Sequence, residues 1–422
     1  MHNKLVISLV LFLLLVSASA FSQEKAEEPK EAVIALVGGT LIDGNGGAPL
    51  PGATVIIKGE KIEAAGPAAE VAIPEGAEKI DVSGKWILPG FIDCHIHITY
   101  PFDNDQYFTY DDSLGALRGL HILNLYLKSG VTAVRDVGSP IEPQQALLQA
   151  MALGYVDTSR LYPCGQIITV TGGHGDGLYG DGERLADGPW DFRKAVREMQ
   201  KAGFRHIKIS PTYTLEEVQA AVDEARTLGL MITSHGGGVS DTHPPTMVEI
   251  AVRGGVDCIE HPPMIGEGVL EMMAEKGVHS VPTMSVYRKL FEDGFMPEVL
   301  KQRGWTLKTI EDFFHKAREL KLVMGIGTDY CGGALEYPKL YPGAYFTEMK
   351  YYVELGASPM ETIVCASKNG AIVLGMEDKL GTVEAGKLAD IQVLPGNPLE
   401  KFDVLGKPEM VLVGGKVHRF RD

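Results

Sequence analysis

The stretch Ile87-Leu-Pro-Gly-Phe-Ile-Asp-Cys-His-Ile-His-Ile98 decides how the rest of the chain is read. It reads as a β-strand that ends in two imidazoles. His95 and His97 are two residues apart, so on a strand both side chains point to the same face. An apolar strand gains nothing by packing two histidines side by side in its own core. A divalent metal gives them a shared partner, because neutral imidazole is a common zinc ligand. The competing reading is a solvated strand end with two chance histidines. Further ligands elsewhere in the chain decide between the two.

Working outward, the 422 residues are 45% apolar and 22% charged, an ordinary globular composition with ample material for a core. The formal charge of −16 argues against nucleic acid as a partner. No long Lys/Arg run marks a membrane-surface patch. At the N-terminus, Lys4, the apolar run 5–16 and the small-x-small site Ala18-Ser-Ala20 predict a signal peptide over 1–20, cleaved on export. The run is too short to span a bilayer comfortably, so the mature chain is expected to carry no stable membrane anchor and to be periplasmic or secreted. Residues 21–32 read as a charged, solvated linker. Five cysteines, Cys94, Cys164, Cys258, Cys331 and Cys365, show no Cys-x-x-Cys metal spacing. Cys94 and Cys258 lie in apolar strands and are expected to be buried free thiols.

Residues 33–86 break into short strands separated by turns such as Asp43-Gly-Asn-Gly-Gly, and 376–422 show the same pattern. The two ends are expected to pair into one composite β domain, a small sandwich, with 87–375 inserted between them. That middle alternates strands near 87–97, 131–137, 160–170, 206–210, 230–235, 257–262, 279–286 and 322–329 with helices over 114–129, 142–153, 191–202, 215–228, 245–254, 267–276, 307–320 and 358–374. The fourth helix shows the logic: Thr214 and Glu217 form a capping box, Leu215, Val218, Val222, Ala225 and Leu228 repeat at helical spacing, and Gly229 ends it. Eight strand–helix units predict an α/β fold, a (β/α)8 TIM barrel. A doubly wound sheet would call for a Gly-rich phosphate loop after the first strand, and none is there.

In such a barrel chemistry sits at the C-terminal ends of the strands. The first strand ends in His95 and His97, the fifth in His235, the sixth in His261 and the eighth in Asp329; the fourth carries Lys208 on the face opposite Ile207 and Ile209. Four histidines, a lysine and an aspartate converge on one mouth. Lys208 admits two readings: a plain salt bridge, or a carbamate formed with carbon dioxide, an anionic ligand able to bridge two metals. Asp329 is either a satisfied structural acid or, among imidazoles at a metal, a general base.

These motifs resemble the amidohydrolase superfamily over about residues 33–420. The resemblance rests on His95-x-His97 after Leu-Pro-Gly-Phe-Ile-Asp, Lys208, His235, Glu260-His261-Pro, Gly327-Thr-Asp329 and the closing segment Gly381 to Asp390. Thr171-Gly-Gly-His-Gly175 and Ile259-Glu-His-Pro262 look most like the imidazolonepropionase-related branch, which includes prolidase-like carboxypeptidases and ochratoxin-type amidases. The resemblance implies one metal on His95, His97 and Asp329, a second on His235 and His261, and carboxylated Lys208 bridging two divalent ions, zinc by expectation, together with a hydroxide. It implies hydrolysis of an amide in a small molecule, a dipeptide or N-acyl amino acid, with Asp329 as general base and acid, and a homo-oligomer.

His174 is expected to touch the substrate carbonyl or carboxylate, and Tyr213 to bind a carboxylate; an ordinary loop histidine and simple packing are the alternatives. Tyr287 and Arg288 are weaker candidates. Where relatives often read His-x-His at the fifth strand, this chain has His235-Gly-Gly-Gly238 and a longer loop carrying His243. Residues 100–110 read as part of a lid or an oligomer contact. The other histidines, His2, His121, His206, His279, His315 and His418, are read as structural. Rival functions are a lactonase or arylesterase on the same centre, an imidazolone-type hydrolase or deaminase with one metal, and a non-catalytic scaffold.

Overall fold

The computed structural model describes residues 32–99, 111–177, 180–236, 244–261, 266–292, 306–330 and 343–420. The expected leader, most of the linker, the 100–110 segment, His243 and Cys331 lie outside the described residues.

Both chain ends enter one sheet. Its strands run in the order Lys416–Arg419, Met410–Val413, Ile391–Leu394, Trp86–Pro89, Val33–Leu41, Leu50–Lys58, Lys61–Pro67, with Glu78–Asp81 also paired to Val33–Leu41. Trp86–Pro89 is the joint: it pairs parallel with Val33–Leu41 and antiparallel with Ile391–Leu394. Because that strand joins the two halves, the expected sandwich is one continuous hydrogen-bonded sheet. Leu36, Val55, Ile57, Ile87, Ile391 and Leu412 form its separate apolar core.

Gly90 then hands the chain to the inserted region. A Cβ there would meet Thr132 Oγ1 at 2.1 Å, so only glycine lets the chain pass this close. Phe91–Ile96, Val131–Asp136 and Arg160–Pro163 form one parallel sheet. Ile167–Thr169, His206–Ile209, Met231–His235, Cys258–Glu260 and His279–Val281 form a second, edged by Glu183–Leu185. Residues 324–330 link its last strand to the first strand: Gly325 N donates to Ser280 O at 2.9 Å, Cys94 N to Ile326 O at 2.8 Å and His97 N to Tyr330 O at 2.8 Å. The succession is consistent with the eight-stave barrel read from the sequence. Ile207, Ile209, Ile232 and Ile326 are all buried in one apolar cluster with Val218, Ala221 and Val222 of the helix Leu215–Thr227. The helices thus take the aliphatic face and leave the interior to Lys208.

The helix Leu215–Thr227 begins as expected, with Glu217 N donating to Thr214 Oγ1 at 3.3 Å and Thr214 N to Glu217 Oε2 at 2.7 Å. Two expectations are corrected. The strand expected over 279–286 stops at Val281, and a helix Met284–Glu292 follows. Its first amides, Met284 N and Ser285 N, donate to Glu348 on the helix Gly343–Glu354, a cap supplied from far along the chain. The helix expected over 358–374 is interrupted by a π-turn, Cys365–Asn369, between Pro359–Val364 and Gly370–Val373. There Gly370 faces Ile92 so closely that a Cβ would sit 2.9 Å from Ile92 Cβ. Cys94 and Cys258 are buried free thiols, as expected. Among the described residues no helix is long and apolar enough to cross a membrane.

Candidate metal centre

The first strand delivers His95 and His97 to the mouth, and 324–330 delivers Asp329 beside them. Ligand atoms of these three residues lie within 4.8 Å of one another. Asp329 Oδ1 is 3.2 Å from His95 Nε2 and 3.5 Å from His97 Nε2, while Oδ2 is 4.0 Å from His261 Nε2. The His261 ring is 4.3 Å from His95 and 4.9 Å from His235, and His174 stacks on His235 at 3.9 Å. Lys208 is buried, and its charge bears on His174, His235, His261 and Asp329. The six expected ligand positions and His174 therefore occupy one cluster.

The backbone is bent to make it. His261, Thr283 and Asp329 have φ of 48°, 43° and 51°, left-handed conformations uncommon for residues with a side chain. Such strain persists where surrounding bonds over-determine it, and it collects at functional sites. Here His261 Nδ1 is 2.5 Å from Thr283 Oγ1, and Asp329 N donates to His95 O at 2.8 Å.

The ring protons follow from the partners. His97 Nδ1 is 2.6 Å from Gly138 O, and a carbonyl only accepts, so Nδ1 carries the hydrogen. His95 Nδ1 is 2.7 Å from Glu260 Oε2, a carboxylate that Arg135 and Thr233 also engage through Oε1. On neutral rings both Nε2 atoms then present lone pairs toward Asp329. Among the described residues His95 Nε2 and His235 Nε2 are buried without a hydrogen-bond partner. Lone pairs crowded on a carboxylate are repulsive unless a cation lies between them, so this donor set fits a divalent metal.

Electrostatics agree. Burial holds His235 and His261 well below the ordinary imidazole range and brings His174 down to about 4, with Lys208 adding to each. These rings are neutral, the form that binds metal. Burial also lowers the Lys208 ammonium, against the pull of Glu260 and Asp329.

Other candidates fall elsewhere. Tyr213 is buried with its hydroxyl 2.5 Å from Ser234 Oγ, so a substrate carboxylate would have to displace that bond. Tyr287 lies 6.1 Å from the His261 ring. Arg288 turns away to Glu292 and Glu354 and stacks over Tyr351. His206 is buried on Leu374 O, and His418 faces Asp157, in keeping with structural roles.

Sequence reasoning left Asp93, Arg135 and Asp136 without roles. Asp93 accepts from His95 N, Tyr126 Oη, Thr328 N and Thr328 Oγ1, tying the first strand to the segment before Asp329. Burial lifts its carboxyl to about 6 despite those bonds. Asp136 accepts from Ile98 N, Gly138 N and Ser139 Oγ, which sets the loop whose carbonyl fixes His97. The signal for Arg135 and Asp136 was a pair of adjacent charges closing the fully buried strand Val131–Asp136.

An α/β chain with this cluster at its strand ends is a hydrolase of the amidohydrolase family: the model of that family matches residues 86–418, and the chain belongs to it. It is accordingly an enzyme acting on carbon–nitrogen bonds, in a family that typically uses metal ions and builds a TIM barrel with a small additional domain. Among individual proteins, it is similar to the ochratoxinase of Aspergillus niger, 26% identical over 93% of this chain and 88% of that protein. It is also similar to a solved prolidase complexed with N-methylphosphonate-L-proline (30% identity, TM-score 0.80) and to a Xaa-Pro dipeptidase with bound methionine (28%, TM-score 0.80), each over 92% of this chain and 100% of that one.

Proposed function

We propose that the chain is an exported binuclear amidohydrolase that cleaves the amide of a dipeptide or N-acyl amino acid. The observation that carries this is the arrangement of His95 Nε2 and His97 Nε2 around Asp329 Oδ1, extended by His261 and His235. One ion would be held by His95, His97 and Asp329 and the other by His235 and His261, with Lys208 between them as a carbamate. Zinc suits the imidazole-rich set. When bound, the ions supply Lewis acidity toward the substrate carbonyl and lower the pKa of water.

The rest falls to the protein. Burial favours the neutral Lys208 amine, which can attack carbon dioxide, forming the N–C bond and releasing a proton. Asp329 takes the proton of the attacking water and passes it to the leaving nitrogen. His174, held neutral by burial and stacked on His235, would donate an N–H to the substrate carbonyl oxygen or carboxylate. The likeness to a prolidase and a Xaa-Pro dipeptidase supports the dipeptide class. Export rests on the leader-like residues 1–20.

The test is a panel of N-acyl amino acids, Xaa-Pro and Xaa-Arg/Lys dipeptides, lactones and phosphotriesters. Turnover is expected among the amides. Turnover of lactones with no amide cleaved would replace this reading with that of a lactonase.

A further inference from the structure

We propose that Glu260, held in place by Arg135, is a positioning residue that fixes the tautomer and aim of His95. The proposal rests on the reading of His95 as a metal ligand. Glu260 is fully buried, and its oxygens have separate duties. Oε1 accepts from Arg135 Nη2 at 2.5 Å and from Thr233 Oγ1, and Oε2 meets His95 Nδ1 at 2.7 Å. With two donors already on Oε1, the carboxylate is acceptor-only, so the hydrogen of this contact belongs to His95 Nδ1. Nε2 is then the lone-pair nitrogen, and it is the atom that faces Asp329. A carboxylate behind a ligating imidazole orients the ring and raises its basicity. At the neighbouring His97 the Nδ1 contact is instead with the neutral Gly138 carbonyl.

The backbone accounts for how one strand supplies both Glu260 and the ligand after it. Successive side chains on a strand point to opposite faces. The left-handed turn at His261 breaks that alternation, so that Glu260 reaches His95 Nδ1 while the His261 ring lies 4.3 Å from the same imidazole. Arg135 is anchored in turn by Nε donating to Cys94 O at 2.6 Å, on the strand that carries His95. A buried ion pair is costly and is often replaceable by apolar residues when it serves stability alone. This pair has a third member, the metal-facing imidazole.

The test measures zinc affinity of the full-length protein by chelator competition, with the melting temperature of the metal-stripped form alongside. Glu260→Gln and the doubly neutral Glu260→Gln/Arg135→Met are the variants; the second leaves no unpaired buried charge. Both are expected to bind zinc about 10- to 100-fold more weakly than wild type. Zinc affinity equal to wild type in the folded double variant, with only the melting temperature lowered, would make the pair structural and overturn the proposal. Wild-type protein that binds no zinc would instead sink the metal reading itself. Should neither variant fold, long-range 1H–15N spectra of histidine-labelled, metal-stripped wild type decide. The resonance lost in His95→Ala is expected to be an Nδ1–H tautomer, and an Nε2–H tautomer overturns the proposal.

Discussion

His95 Nε2 and Asp329 Oδ1 stand 3.2 Å apart with no hydrogen bond between them. With the His95 hydrogen on Nδ1 toward Glu260, as proposed, a neutral ring sets a lone pair against a carboxylate, and a cation between them would relieve it. On the proposed reading Asp329 would serve both as an anion facing a metal and as the proton acceptor. Replacing it with Asn keeps the shape and removes the base. Turnover of the best amide substrate in Asp329→Asn is expected to fall about 10²- to 10⁴-fold, with the far-ultraviolet circular dichroism of the folded protein retained. Full activity in this variant would remove Asp329 from the proton path.

Gly327 is placed where a side chain would disturb that contact. A Cβ there would lie 2.3 Å from Val281 Cγ1 and 2.8 Å from His95 Cβ. Gly327→Ala is expected to cost about 1–3 kcal/mol in urea unfolding, the usual range for overpacking. It should also retain less metal after dialysis, because one of the two atoms it strikes belongs to His95, a ligand on the proposed reading. Wild-type stability together with wild-type metal retention would contradict this packing.

Glu348 predicts a pH dependence unrelated to the metal. Both of its oxygens cap the helix Met284–Glu292, yet burial outweighs the Ser285 and Met284 bonds and lifts the carboxyl from 4.5 to about 7. An acid raised in the folded state contributes stability that is fully present below its unfolded pKa and is lost as pH rises through the folded one. The window here is pH 4.5 to about 7, and the loss is at most about 3 kcal/mol. Glu348→Gln carries a fixed hydrogen-bond penalty that does not depend on pH. Its stability relative to wild type should therefore improve from pH 5 to pH 8 in denaturant titrations. A difference that stays constant over that range would show that Glu348 does not titrate there.

What was legible in the sequence was what lies at the ends of short strands. His95, His97, His235 and His261 close apolar runs, and Lys208 stands out between Ile207 and Ile209, so each could be placed without knowing its neighbours. The capping box of Thr214 and Glu217 is local and was equally legible. The parts that escaped depend on partners distant in sequence. Glu260 reaches His95 across 165 positions, and its motif alone did not disclose that duty. The helix at Met284 starts where Glu348 supplies acceptors, so Val281–Val286 was read as continued strand. The π-turn at Cys365–Asn369 appears where the chain packs on Ile92, a contact that helical periodicity does not encode.

Lys208 separates the binuclear account from every one-metal alternative. The most direct test is elemental analysis of metal per chain in wild type and Lys208→Ala, each purified and loaded identically. The account predicts about two zinc-like ions per wild-type chain, falling to about one or fewer when the bridging position is lost. A single ion in wild type, undiminished in Lys208→Ala, would contradict it.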